Sequence, residues 1–436
     1  MIKNPGFLIK KSSSELIMLV SLFIFSFINS ASLLVFLVAI SFLFLQKQVG
    51  ALKIMFVLTL RTVINPGIAV EFGSLQTLKL GLLILASLYL LLSATKTNRF
   101  KLSRVFFSLG VFVVYNIFIA FYSSSLPIVS IFKLLLFAVV YAGIISGVSD
   151  TIERFDIFNW ILKWLKLIMI GSLFSYLSPI SYLMNGTGFQ GLLNQPNMFG
   201  IVTVLFIAML LGHEKKKGNI FFFVSALFML ITSDSRTSLI SIVVVLLLFF
   251  LDRSKIKITK SKVMIFSFSA ALLLLFYNSI ADNITEFLVS YIAKGQTLDN
   301  VLYSRQGQVN SLLYNFQQRP LLGNGFSVPV LPFRSYGLSL DYTVEPGNII
   351  LAVLSFSGII GFLIFIWHLS EVLVFNKYNL RNKIYLFVSV FMINLGEMVF
   401  FSSNNIGIFC YFMLAMYMFY KPESKEKDTQ LMQTAR

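Results

Sequence analysis

Apolar runs follow one another along almost the whole chain, and short charged loops separate them. They occupy residues 14–29, 31–45, 51–68, 77–94, 103–123, 130–148, 158–178, 193–212, 217–233, 235–252, 261–281, 346–373, 382–402 and 404–420. A hydrocarbon core about 30 Å thick is crossed by about 20 residues of helix, so each run reads as one span. The expected fold class is an all-α polytopic integral membrane protein with about 14 transmembrane helices. Leu16 to Leu45 is nearly continuous and is interrupted only at Asn29-Ser30, which predicts a helical hairpin there. Composition agrees: 57% of residues are hydrophobic and 12% charged. A soluble domain carries about 25% charged residues and needs them to cover its surface.

The net charge of +17 would point a soluble protein towards nucleic acid. Here the basic residues lie in the short loops, and no nucleic-acid partner is expected. With the N-terminus placed in the cytoplasm and the runs alternating, most of the 35 basic residues fall inside. The outer side keeps Arg61, Lys79, Lys133, Arg236, Lys294, Arg305, Arg319 and Arg334. Both termini are then cytoplasmic. Four regions follow: helices one to eleven over 1–281, a large outer loop over 282–345, helices twelve to fourteen over 346–420, and a polar tail over 421–436. Inside the loop, Asn283–Ala293 reads as an amphipathic interfacial helix and Ser304–Gln318 as a second helix stopped by Pro320. Trp160 and Trp164, beside Lys163 and Lys166, read as an interfacial belt. Cys410 is the lone cysteine and the two histidines, His213 and His368, are far apart, so neither a disulfide nor a metal centre is expected.

Charges near a membrane core are costly and call for a reason. Five arginines gather on the outer side: Arg61 in the third run, Arg236 in the turn Thr232–Ser238, and Arg305, Arg319 and Arg334 in the loop. Two carboxylates share that face, Glu345 just before the twelfth run and Glu397 in the outer part of the thirteenth. A guanidinium fork holds phosphate through two hydrogen bonds and stays charged, so an arginine cluster suits an anionic lipid headgroup such as a diphosphate. Each residue also has a bland reading. Arg236 pairs with Asp234, Arg61 pairs with Glu71 or snorkels, Arg319 and Arg334 are solvated, Glu345 caps a helix, and Glu397 pairs with Arg61 or Lys133. Gly323 and Gly325 make a tight turn whose amides either approach a diphosphate or simply reverse the chain. The loop aromatics Tyr303, Phe316, Phe326, Phe333, Tyr336 and Tyr342 offer faces for sugars or anchors at the interface.

Four stretches in order resemble the O-antigen ligase and Wzy-type polysaccharide polymerase superfamily. They are Gly191-Leu-Leu-Asn-Gln-Pro-Asn197, Ser235-Arg-Thr-Ser-Leu239, Arg305 followed by Arg319-Pro-Leu-Leu-Gly-Asn-Gly325, and Glu345-Pro-Gly-Asn-Ile-Ile-Leu351 leading to Ser357-Gly-Ile-Ile-Gly361. The resemblance covers roughly residues 190–370; the first half matches only in helix count and in Arg61 ahead of Asn65-Pro66. It implies a multi-pass protein of a bacterial inner membrane that transfers glycosyl groups on the periplasmic face. The donor and acceptor would be saccharides on undecaprenyl diphosphate, with no cofactor and with a chain-length regulator as a partner. Arg236 and Arg305 would hold the diphosphate, with Arg61 and Arg319 as further basic candidates. Glu345 would be the general base, with Glu397 second. Ligases of this family carry a histidine near the position of Glu345. This chain has none there, which favours a polymerase over a ligase. A flippase would place charges near the midplane of paired halves, and no such halves are visible. A purely structural subunit leaves the arginine-bearing loop unexplained.

Overall fold

The computed structural model describes residues 5–95, 100–182, 188–212, 218–253, 309–328 and 347–420. Thirteen helices account for most of them: α1 (Pro5–Phe25), α2 (Ser30–Ser41), α3 (Gln48–Thr62), α4 (Gln76–Leu92), α5 (Ser103–Ser123), α6 (Pro127–Thr151), α7 (Ile157–Phe174), α8 (Pro196–Gly212), α9 (Asn219–Thr232), α10 (Arg236–Arg253), α11 (Ile349–Val374), α12 (Ile384–Asn394) and α13 (Gly407–Phe419). A shorter helical stretch covers 309–318 and a single turn covers Lys377–Asn382. Every expected run except 261–281 coincides with a helix; that run lies outside the described residues, as do Asn283–Ala293 and the tail. The hairpin expected at Asn29 is present, and the Asn29 and Ser32 side chains cap the start of α2 reciprocally.

Among the described residues, five helical stretches are long and apolar enough to cross a membrane, Gly73–Leu92, Ser103–Ser123, Pro127–Thr151, Ile157–Leu177 and Ile349–Val374, and six apolar helices are shorter. The thirteenth run departs most from expectation. α12 ends at Asn394, because Asn394 Oδ1 accepts from the Val399 and Phe400 amides and turns the chain back. Glu397 therefore lies in a turn and not in a helix.

Helices apolar on all sides take the centre. α3, α8 and α13 are buried along nearly their whole length, and the other helices pack around them. Trp160 and Trp164 belong to this core and form no interfacial belt. They are 4% and 1% exposed and meet Phe56 and Phe23 edge-on, at ring centroid distances of 5.6 and 5.4 Å. At one end of the bundle, the buried Asp150 carboxylate accepts from Gln48 Nε2 at 2.9 Å and from the Thr95 amide at 3.0 Å, which ties α3, α4 and α6 together.

α11 is broken at Gly358, whose φ is +63°. The break frees the Ser355 and Phe356 carbonyls and the Ile359 and Ile360 amides, which an unbroken helix would pair with each other. Segment 319–328 takes up all four. Asn324 N donates to Ser355 O at 3.1 Å and Gly325 N to Phe356 O at 2.9 Å, while Pro320 O and Leu321 O accept from Ile359 N and Ile360 N at 2.8 and 3.3 Å. Tyr115 Oη donates to Ser357 O at 3.0 Å. Phe326 is 1% exposed and sits among Phe112, Phe137, Phe356 and Phe401. Irregular backbone survives at membrane depth only where protein satisfies it, and this exchange meets that condition.

A Cβ on Gly358 would collide with the Leu321 carbonyl, and its φ strains any other residue. Gly358→Ala should therefore lower the thermal midpoint of the purified protein in detergent by about 5 °C or more. An unchanged midpoint would contradict the locked break.

Candidate functional site

Several loops meet at the end of the bundle opposite Asp150. The loop after α3 joins the one before α8: Asn65 N donates to Leu192 O and Asn194 N to Val63 O, both at 2.9 Å. The loop before α8 in turn joins the turn after α9, where Phe189 N donates to Thr232 O at 3.0 Å. Burial raises the Tyr182 phenol above its ordinary value, and neighbouring Tyr176 adds to the shift, so this hydroxyl stays neutral and donates to Tyr176 O at 3.0 Å.

Ser233, Asp234 and Ser235 form the turn into α10, with Asp234 at a φ of +60°. Ser235 Oγ donates to Ser238 Oγ at 2.8 Å, and both press on Gly200 of α8, where a side chain would collide with them. Thr237 presses in the same way on Gly396, beside Glu397. Arg236, the first residue of α10, thus sits between one neighbour packed on α8 and another packed on the turn after α12. Its side chain is half-buried and makes no hydrogen bond or ion pair among the described residues, so the bland alternative of a pair with Asp234 is not what the structure shows.

Glu397 is half-buried, and its Oε1 accepts from Asn197 Nδ2 at 2.7 Å. Its expected pairing with Arg61 is not formed, because that guanidinium is engaged elsewhere. Asn348 completes the group. Its Nδ2 donates to Leu395 O at 3.0 Å, and its Oδ1 accepts from Ile350 N and Leu351 N, capping α11. The N-terminal ends of α8, α10 and α11 are therefore neighbours around the turn that carries Glu397. Each helix start carries a partial positive charge, and Arg236 adds a full one. The arrangement can hold an anion next to a carboxylate.

The other candidates fall elsewhere. Arg61 is 2% exposed. Its Nε donates to Ser26 Oγ at 2.8 Å, its Nη2 donates to Ser26 O and Val70 O, and its face lies over Phe27 and Phe72. It pins the α1–α2 hairpin to the loop after α3, and Glu71, the expected partner, is exposed. Arg319 is exposed and donates to Ser123 O at 3.0 Å, at the end of α5. Lys133 Nζ donates to Ser327 O at 2.8 Å. The Gly323–Gly325 amides are all engaged within the protein, with Gly323 N on Arg319 O at 2.9 Å, so this turn locks α11 and does not cradle a diphosphate. Arg305, Arg334 and Glu345 lie outside the described residues. No group of three or more His, Cys, Asp or Glu side chains able to hold a metal occurs among the described residues. His368 is buried, its Nδ1 3.0 Å from Ser108 Oγ, away from this site.

Sequence reasoning quoted the segment containing Asn197 and the segment containing Asn348 without giving either side chain a role. It missed the contact of Thr237 with Gly396 altogether, and nothing local in the sequence signals it.

A search of curated proteins finds no match. Residues 221–366 match a family described as O-antigen ligase, a stretch that includes Arg236, Arg305, the Gly323–Gly325 turn, Glu345 and the break at Gly358. That match supports the O-antigen ligase and Wzy-type polymerase superfamily as the one this chain resembles.

Proposed function

We propose that this protein is a glycosyltransferase that joins saccharide repeat units, carried on undecaprenyl diphosphate, into O-antigen or a related surface polysaccharide. What supports the reading is that the starts of α8, α10 and α11 meet around the turn that carries Glu397, with Arg236 as the first residue of α10. In the transfer, an acceptor hydroxyl oxygen forms a bond to the anomeric carbon of the donor. The bond from that carbon to the diphosphate oxygen breaks, and the diphosphate leaves with the electron pair. Arg236, and Arg305 from the loop, stabilise that growing negative charge. The hydroxyl proton passes to a carboxylate, for which Glu345 is the first candidate and Glu397, at the turn where three helices begin, the second. Arg61 and Arg319 serve as holding groups for the loops, and guanidinium charge makes a metal unnecessary.

The site belongs to the periplasmic side of the inner membrane, with the 282–345 segment as an outer loop, both termini inside, and a chain-length regulator as a partner. The charge asymmetry of the loops supports this orientation. A second reading, a ligase that passes finished glycan to lipid A core, is favoured by the description of the matched family. Against it, neither histidine is near Glu345 in sequence, and His368 is enclosed by α5, α6 and α11.

Deleting the gene separates these readings on a gel of the surface glycan. Loss of a polymerase leaves lipid A core carrying a single repeat unit, whereas loss of a ligase leaves bare core and carrier-linked polymer. Arg236→Ala and Arg305→Ala should each cut polymer formation about 100-fold or more at normal protein level. Wild-type chain lengths in both variants would remove the diphosphate site. Glu397→Gln and Glu345→Gln are compared in the same assay: the variant that loses transfer while still binding the carrier identifies the base, and full activity in both would exclude carboxylate catalysis.

A further inference from the structure

Glu397 directly follows a glycine, the residue type that gives a turn the least stiffness of its own. Packing demands the glycine, because a Cβ on Gly396 would collide with the Thr237 side chain of α10. The contact that seats α10 on this turn therefore leaves a permissive backbone just ahead of the carboxylate. A tether from outside the turn sets the peptide between Leu395 and Gly396: Asn348 Nδ2 donates to Leu395 O at 3.0 Å.

We infer that Asn348 is a positioning residue for the transfer, acting through the turn that carries Glu397. Both ends of its side chain are used. Oδ1 accepts from Ile350 N at 2.9 Å and from Leu351 N at 3.2 Å, which caps α11. Two backbone donors face that oxygen, so the other end of the amide is the NH₂ group, as the Leu395 carbonyl requires. α12 ends at Asn394, and no further turn of that helix is there to take Leu395 O. One side chain thus ties the start of α11 to the turn after α12. Beyond the glycine, Glu397 N donates to Ile393 O at 3.1 Å, and Glu397 Oε1 accepts from Asn197 Nδ2 at 2.7 Å. Gly396 is bracketed, with Asn348 holding the peptide before it and these bonds holding the residue after it. Aspartate or serine at 348 would cap α11 as well as asparagine does, but aspartate has no hydrogen to give Leu395 O and serine is too short to reach it.

The inference rests on the reading that Glu397 takes part in the transfer, and transfer kinetics of the purified protein with a carrier-linked saccharide test the two separately. Asn348→Asp and Asn348→Ser both keep the cap and lose the tether. Each should lower kcat about 10- to 100-fold while KM for the carrier-linked donor and the thermal midpoint in detergent stay at wild-type values. In a Glu397→Gln background the same substitutions should lower the residual rate less than about twofold, because groups that act as a unit are not additive. Wild-type kcat in both single variants, or the full fall repeated in the Glu397→Gln background, overturns the positioning role. A thermal midpoint that falls together with kcat overturns it too, since that pattern belongs to a purely structural residue. Wild-type kcat in Glu397→Gln itself overturns the participation of Glu397, whatever Asn348 does.

Discussion

Hydrocarbon offers a backbone no hydrogen bonds, so every interruption of a helix at membrane depth has to be satisfied by another part of the protein. The break in α11 obeys this rule through a straight exchange. Segment 319–328 gives two amides to the carbonyls of Ser355 and Phe356 and takes the Ile359 and Ile360 amides on its own carbonyls. Phe326 then fills the aromatic core between α5, α6 and α11. Asn324 Nδ2 donates to Asn315 O at 2.7 Å, so the helical stretch 309–318 is held to the same break.

The candidate site is built from what a helical bundle supplies at its ends. Three helices begin there, and Arg236 is the first residue of one of them. Glycines at 200 and 396 let the Ser235–Ser238 turn lie directly against α8 and against the turn after α12. Close approach of that kind is common between membrane helices, where small residues replace the hydrophobic drive that water would give. Here it sets the start of α10, whose first residue is Arg236, against the turn that carries Glu397, from positions far apart in the chain.

Much of the fold was legible in the sequence because span length and the hydrocarbon thickness are one constraint seen twice. Thirteen of the apolar runs are helices, and the hairpin at Asn29 follows from its capping residues. The failures have local causes. The thirteenth run looked continuous because Met398 to Phe401 are apolar, yet Asn394 turns the chain before them. Trp160 and Trp164 looked interfacial beside two lysines, yet their rings face the buried α3 and α1. The Gly323–Gly325 turn was read correctly as a turn, but its amides serve α11. The pairing of Asn197 with Glu397 carries no local pattern at all, since only the packed bundle brings those residues together.

The central claim is that the lipid diphosphate binds at the start of α10, beside Glu397. Photo-crosslinking tests it most directly: an undecaprenyl diphosphate-linked saccharide with a photoreactive group next to the phosphates is activated in membranes holding the protein, and labelled peptides are mapped. The account predicts labels within 232–238 and 395–397 that unlabelled undecaprenyl diphosphate displaces. Labels confined to the opposite end of the bundle, around Asp150 and Arg154, would contradict it.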